Sequence, residues 1–180
     1  MKMTMNEYHK QAMRTSPRDG HDKLDNGMLG LIGETGELAD LYKKYIYQSR
    51  AGAEIPAERF ADELGDVLWY LAEIADGMEK NLADVVGADF DCLEESAKKG
   101  NKRRSLRSNI IDMCETAMLI EKTTDFDRVW IYMHLMLEHA AMLALKLDLP
   151  LTEIAARNIE KLKKRYPDGF DAERSEARYE

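Results

Sequence analysis

Four carboxylates in two pairs are the residues whose spacing most directly suggests chemistry. Glu34 and Glu37 stand three residues apart in one apolar stretch, and Glu63 and Asp66 stand three apart in a second. Positions i and i+3 share a helix face, so each pair aims both carboxylates one way. Their flanks are apolar: Leu31, Ile32, Leu38 and Leu41 around the first pair, Val67, Leu68, Trp69, Tyr70 and Leu71 after the second. Four acids facing a semi-buried groove repel one another and raise their own pKa values. A hard divalent cation relieves that repulsion, and an all-oxygen ligand set suits Mg²⁺ or Mn²⁺. Spacing alone is a weak signal, because Glu73 and Asp76, and Asp91 and Glu94, are spaced the same way. Glycines add weight. Gly30, Gly33 and Gly36 recur every third residue, and Gly65 sits inside the second pair. Each costs about 1 kcal/mol against Ala within a helix, a cost that close helix approach or room for a ligand offsets.

The elements that must carry these acids read as helices throughout. Apolar residues recur at helical spacing over 22–47, with Leu24, Met28, Leu31, Ile32, Leu38, Leu41 and Tyr45 on one stripe. A short amphipathic helix is expected over 6–14 and a turn over 16–20. Pro56 suits the first turn of a helix running to 78, and Asn81 caps a third over 82–98. A basic linker, 99–104, precedes helices over 105–122, 125–147 and 151–165, with Asp125 as a cap and Pro150 as a separator. No segment alternates with period two, so the fold class is all-α. The chain reads as a single domain, 1–180, with a polar, extended tail over 167–180. Residues 110–119 line up with 29–38, and 149–154 with 80–85, at offsets of 81 and 69. This suggests a degenerate tandem repeat with copies 22–98 and 104–166.

Composition narrows the function. With 26 basic and 34 acidic side chains the net charge is −8, the wrong sign for a general nucleic-acid binder. An acidic protein still binds a triphosphate when a metal supplies the positive charge. Cys92 and Cys114 have neither zinc nor disulfide spacing and read as small buried hydrophobes. The N-terminus lacks an apolar leader and no stretch is long enough to span a bilayer, so no membrane partner and a cytoplasmic location are expected.

At this point the sequence resembles the MazG-like all-α nucleoside triphosphate pyrophosphohydrolases. That family carries ExxE, a gap, then ExxD; here Glu34-x-x-Glu37 is followed after 25 residues by Glu63-x-x-Asp66. The strings 30–44 and 63–71 resemble it too, and 158–170 looks like its closing segment, where an Asn and a Lys approach the nucleotide. The resemblance implies a helical bundle that hydrolyses an NTP or dNTP to monophosphate and pyrophosphate, a house-cleaning role in nucleotide metabolism. It implies Glu34, Glu37, Glu63 and Asp66 as Mg²⁺ ligands, Glu37 and Glu34 as catalytic carboxylates, and Asn158, Lys161 and Tyr166 as substrate contacts. About 70 residues intervene where compact members have almost none. The repeat explains them: copy one keeps the metal ligands, copy two keeps the substrate grips, and together they form one composite site in a fused pseudo-dimer. A homodimer of such chains is expected, a monomer being the alternative.

Other features have plainer readings. Trp69, Tyr70 and Tyr166 are candidates to stack on a base, although Trp69 reads first as core. His134 and His139 read as core, Lys43 and Lys44 as surface residues, and the basic run 98–107 as a solvated linker. A di-iron oxidase needs Glu-x-x-His pairs, absent near the acids. The rival function is a MazG-like bundle without turnover that serves as a binding or regulatory module.

Overall fold

The computed structural model describes residues 2–17, 23–100 and 104–176. Every regular element among them is helical. In chain order these are α1 (Met5–Ala12), α2 (Lys23–Gln48), α3 (Ala57–Gly77), α4 (Leu82–Val86), α5 (Phe90–Lys99), α6 (Leu106–Lys122), α7 (Phe126–Lys146), α8 (Leu151–Arg165) and α9 (Ala172–Glu176), with a 3-10 turn, Met13–Thr15, after α1. The all-α expectation holds, and the helix ends follow their caps. Thr4 and Glu7 close a capping box on α1. Asn81, Ser105 and Asp125 each accept from a backbone N–H of the helix they start.

The hairpin α2–α3 packs against the hairpin α6–α7, chiefly through α2 and α6. Helix α8 lies on α3, and α5 lies on α7. Leu31 and Leu38 of α2, Leu64, Leu68 and Leu71 of α3, Met133, Met136 and Leu137 of α7, and Ile154 of α8 are all fully buried in the one core.

The turns that follow α3 and α7 are alike. Glu79 and Asp148 both take φ 57°. The next residue then donates its N–H back to the helix, Lys80 to Ala75 O at 2.9 Å and Leu149 to Ala144 O at 3.1 Å. Each of these residues stands 69 positions from its counterpart. Buried positions repeat at the same spacing: Phe60, Leu64, Leu68 and Leu71 answer to Val129, Met133, Leu137 and Ala140.

Four expectations are corrected. The helix expected over 82–98 is broken. Gly87, at φ 66°, ends α4 in the left-handed region, and the Asp89 carboxylate caps α5 by accepting from Phe90 N. The tail is not extended over 167–176, and residues 177–180 lie outside those described. Tyr166 is buried, Phe170 N–H donates to Arg14 O at 3.1 Å, and α9 follows. Cys92 is exposed and only Cys114 is half-buried, with its Sγ 3.4 Å from Thr35 O. His134 and His139, expected in the core, sit at its margin. His134 is half-buried and its Nδ1–H donates to Val86 O at 2.9 Å. Lys43 and Lys44 both pair with Asp40 on the surface. Of the basic run, residues 101–103 lie outside those described, and Arg104 pairs with Asp112.

The α2 glycines divide into two kinds. A Cβ on Gly27 would lie 2.7 Å from Ile74 Cγ1, and one on Gly30 would overlap the Tyr70 ring, so α2 and α3 approach closely here because side chains are missing. Gly33 and Gly36 meet nothing within 4 Å. In urea denaturation Gly33→Ala is therefore expected to stabilise the protein by about 0.5–1 kcal/mol through helix propensity alone. Gly30→Ala is expected to destabilise it by about 1–3 kcal/mol through overpacking.

Candidate metal and phosphate site

Helices α2 and α3 bring three of the four expected acids together. Glu34, Glu63 and Asp66 each offer a carboxylate oxygen, and these oxygens lie within 4.8 Å of one another. All three residues are half-buried. Glu37, one turn further along α2, is exposed and stands outside this trio. Its charge still acts on Glu34 and Glu63.

The trio is strained in the way its spacing suggests. Burial, then the Asp66 and Glu63 charges, push Glu34 up to about 7. Burial and Asp66 raise Glu63 as well. The Lys161 ammonium opposes both shifts. Desolvation and like charge disfavour the same ionised form, so the two causes add.

Helix α8 supplies the counterweight. Lys161 Nζ donates to Asp66 Oδ2 at 2.6 Å, and Asn158 Nδ2 donates to Asp66 Oδ1 at 3.0 Å. Both residues are among those the resemblance implicates, and the fold sets them against Asp66 of α3. Asn158 is itself held. Tyr8 Oη donates to its Oδ1 at 2.9 Å and lies 3.3 Å from the Gly65 carbonyl. Because Oδ1 accepts from Tyr8, Nδ2 is the atom turned to Asp66. Tyr8 is fully buried, and that burial carries its phenol well above the ordinary range, so it remains a donor. Sequence reasoning missed Tyr8, whose spacing to the acids carries no signal.

Gly65 explains how α8 comes so close. A Cβ there would stand 2.9 Å from both Cβ and Nδ2 of Asn158. Gly65→Ala gains helix propensity of about 1 kcal/mol but forces Asn158 away from Asp66. The expected result is net destabilisation of about 1–2 kcal/mol by denaturant titration, with loss of the Asn158 contact.

The other acid pairs do structural work. Glu73 is fully buried on α3 and accepts from Ser16 Oγ at 2.8 Å and Asn26 Nδ2 at 2.6 Å. Asp76 accepts from Lys23 Nζ at 2.6 Å. Asp91 pairs with Lys2, and Glu94 caps α8 by accepting from Thr152 N at 3.0 Å.

A cleft of about 260 Å³ opens beside the trio. Glu34 and Asp66 belong to its lining, together with Asn26, Trp69, Tyr70, Arg165, Tyr166, Phe170 and the turn after α1. Trp69 is partly buried rather than core, with its indole N–H donating to Thr15 Oγ1 at 2.9 Å. Tyr166, an expected substrate contact, lies in the cleft wall.

Comparison with known proteins adds kinship. The chain is 32% identical to the Gene 37 protein of Mycobacterium phage L5 over 84 residues, which are 46% of this chain and 73% of the phage protein. The chain belongs to the family of that phage protein. No family model matches it, and no solved structure does. No helix among the described residues is long and apolar enough to cross a membrane.

Proposed function

We propose that this Gene 37 relative is a Mg²⁺-dependent, MazG-like nucleoside triphosphate pyrophosphohydrolase that converts an NTP or dNTP and water to the monophosphate and pyrophosphate. One observation carries the reading: three converging carboxylates on α2 and α3 face a lysine and an asparagine from α8, beside a cleft. The donor set fits the ion. Its ligands are all oxygen, and the raised pKa values of Glu34 and Glu63 come from burial and crowded negative charge that a hard cation relieves. Glu34, Glu63 and Asp66 would hold Mg²⁺, or Mn²⁺, with Glu37 within reach on the rim. Bound there, the ion supplies positive charge against the polyphosphate and polarises a phosphoryl oxygen.

The chain's own groups do the remaining work. Glu37, exposed on the rim and outside the trio, would be the carboxylate free to take the proton of an attacking water. Lys161 offsets charge on the triphosphate, and Asn158, set by Tyr8, donates a hydrogen bond to substrate or to Asp66. The cleft takes the nucleoside end.

The composite pseudo-dimer belongs to the same proposal. The matching turns at Glu79 and Asp148 support duplication, as does the exchange in which α5 lies on α7 and α8 on α3. One register changes. The buried positions Met28, Leu31 and Leu38 answer to Ile110, Met113 and Ile120, a spacing of 82. This places Thr116, not Glu115, opposite Glu34. The second copy then has no acid at that position, and its outer face carries exposed Met118, Leu119, Ile131 and Leu135. Such a face suits burial against a second copy, as a homodimer requires.

The deciding experiment supplies every common NTP and dNTP with Mg²⁺ and couples pyrophosphate release to a pyrophosphatase. Turnover of at least one is expected, lost with EDTA. Silence across the whole panel would replace the enzyme with the binding-module reading.

A further inference from the structure

Asp66 carries two obligations at once. One of its carboxylate oxygens converges with those of Glu34 and Glu63, yet both are engaged by α8. Oδ2 accepts from Lys161 Nζ at 2.6 Å, and Oδ1 accepts from Asn158 Nδ2 at 3.0 Å. The Lys161 charge also acts on Glu34 and Glu63. The ammonium therefore does, at Asp66, the electrostatic work that a divalent ion held by the trio would do.

The two α8 donors differ in how they tolerate an ion. Each carboxylate oxygen offers two lone-pair directions, so Asp66 has room for a further partner. Asn158 is neutral and fixed. It is buried, accepts from Tyr8 Oη at 2.9 Å and packs onto Gly65. An amide beside Mg²⁺ meets no like charge. Lys161 is neither neutral nor fixed. An ammonium and an ion on one carboxylate stand on the order of 4–5 Å apart and repel. The Lys161 and Asp66 side chains are 26% and 23% exposed, so water screens only part of that repulsion. The lysine stem is flexible, which lets the ammonium leave Asp66 for another anion.

We propose that Lys161 is a tethered cation that competes with Mg²⁺ for Asp66, and that a polyphosphate relieves the competition by taking the ammonium. Ion and nucleotide then bind as a coupled pair. Each strengthens the other by the same factor, because linkage is reciprocal. Mg²⁺ without nucleotide is held weakly, and the site assembles fully when both arrive. The inference rests on the metal-binding reading of the trio and goes past it, from which groups hold the ion to what controls its entry. A pair that only tied α8 to α3 would leave ion affinity indifferent to Lys161.

The full chain is titrated calorimetrically with Mg²⁺ alone at pH 8.5, above the value of about 7 for Glu34, so that protons do not compete with the ion. Lys161→Met is expected to bind Mg²⁺ at least about tenfold more tightly than wild type. Lys161→Gln provides a second neutral variant. Lys161→Arg keeps the charge and should stay within about threefold of wild type. Circular dichroism checks that each variant is folded. The titrations are then repeated with the α,β-methylene analogues of ATP, GTP, CTP, UTP and dTTP. At least one analogue should tighten Mg²⁺ by about tenfold or more in wild type and by much less in the neutral variants. Neutral variants that bind Mg²⁺ alone no better than wild type overturn the proposal. So does an analogue effect that is equal in all the proteins or absent from wild type. Lys161-dependent Mg²⁺ affinity without turnover of any triphosphate would sink the hydrolase and leave the competition standing. Turnover with Mg²⁺ affinity indifferent to Lys161 would do the reverse.

Discussion

Glu34→Gln is expected to make the metal-free protein more stable at pH 7.5 while abolishing turnover. The Glu34 carboxyl is pushed up to about 7, first by burial and then by Asp66 and Glu63. An acid whose folded pKa exceeds its unfolded value keeps its proton longer in the folded state. Between the ordinary carboxyl value of 4.5 and about 7, the folded chain therefore binds more protons, and stability falls as pH rises. Above that window the penalty is fully present. Gln retains the shape and removes the charge. Glu34 is only half-buried, so solvent screening discounts the gain to about 1–2 kcal/mol. For a chain of this size that is a rise in melting temperature of about 2–8 °C.

Melting curves in EDTA at pH 5 and pH 7.5 test this. Wild type should lose stability between the two relative to Glu34→Gln, and Mg²⁺ should recover the loss in wild type alone. Because the ion and the proton compete for Glu34, Mg²⁺ affinity should also strengthen as pH rises through 7. If Glu34→Gln melts below wild type at both pH values, the trio is not a strained cluster and the metal reading loses its physical basis.

That strain was partly legible in the sequence. Paired acids at i and i+3 inside apolar stretches gave Glu34, Glu63 and Asp66, because helical periodicity alone fixes which residues share a face. It could not separate Glu37 from them, since one turn of helix takes a side chain from the groove to its exposed rim. Nor could it separate this cluster from Glu73 and Asp76, which are spaced alike. There the outcome depends on Ser16, Asn26 and Lys23, donors brought in from other elements. Long-range contacts were the least readable. Tyr8 reaches Asn158 across 150 residues, and only the packing of α1 against α8 brings them together. The tail looked extended because its composition is polar. Its order comes from Tyr166 and Phe170 folding back on the turn after α1. Gly65 was marked as costly in a helix, but its reason, the approach of Asn158, is visible only in three dimensions.

Lys161→Met should shift stability in the opposite direction from Glu34→Gln and reach the same catalytic end. The ammonium lies 2.6 Å from Asp66 Oδ2, and its charge opposes the raised pKa of both Glu34 and Glu63. Methionine keeps much of the stem and deletes the charge, leaving three carboxylates with no cation among them. Metal-free stability at pH 7.5 should fall by about 1–3 kcal/mol, the cost of stranding a partly buried partner. The deficit should shrink toward pH 5, where Glu34 and Glu63 take up protons and the repulsion relaxes. Turnover should drop at least about 100-fold, as when a preorganised donor to developing charge is removed. Lys161→Arg should restore stability more fully than rate, because a planar fork does not reproduce a point charge on phosphate. A purely structural ion pair predicts something else: instability in Lys161→Met with rate and KM untouched. That outcome would remove α8 from the site and, with it, the case that two halves of one chain complete a single active centre.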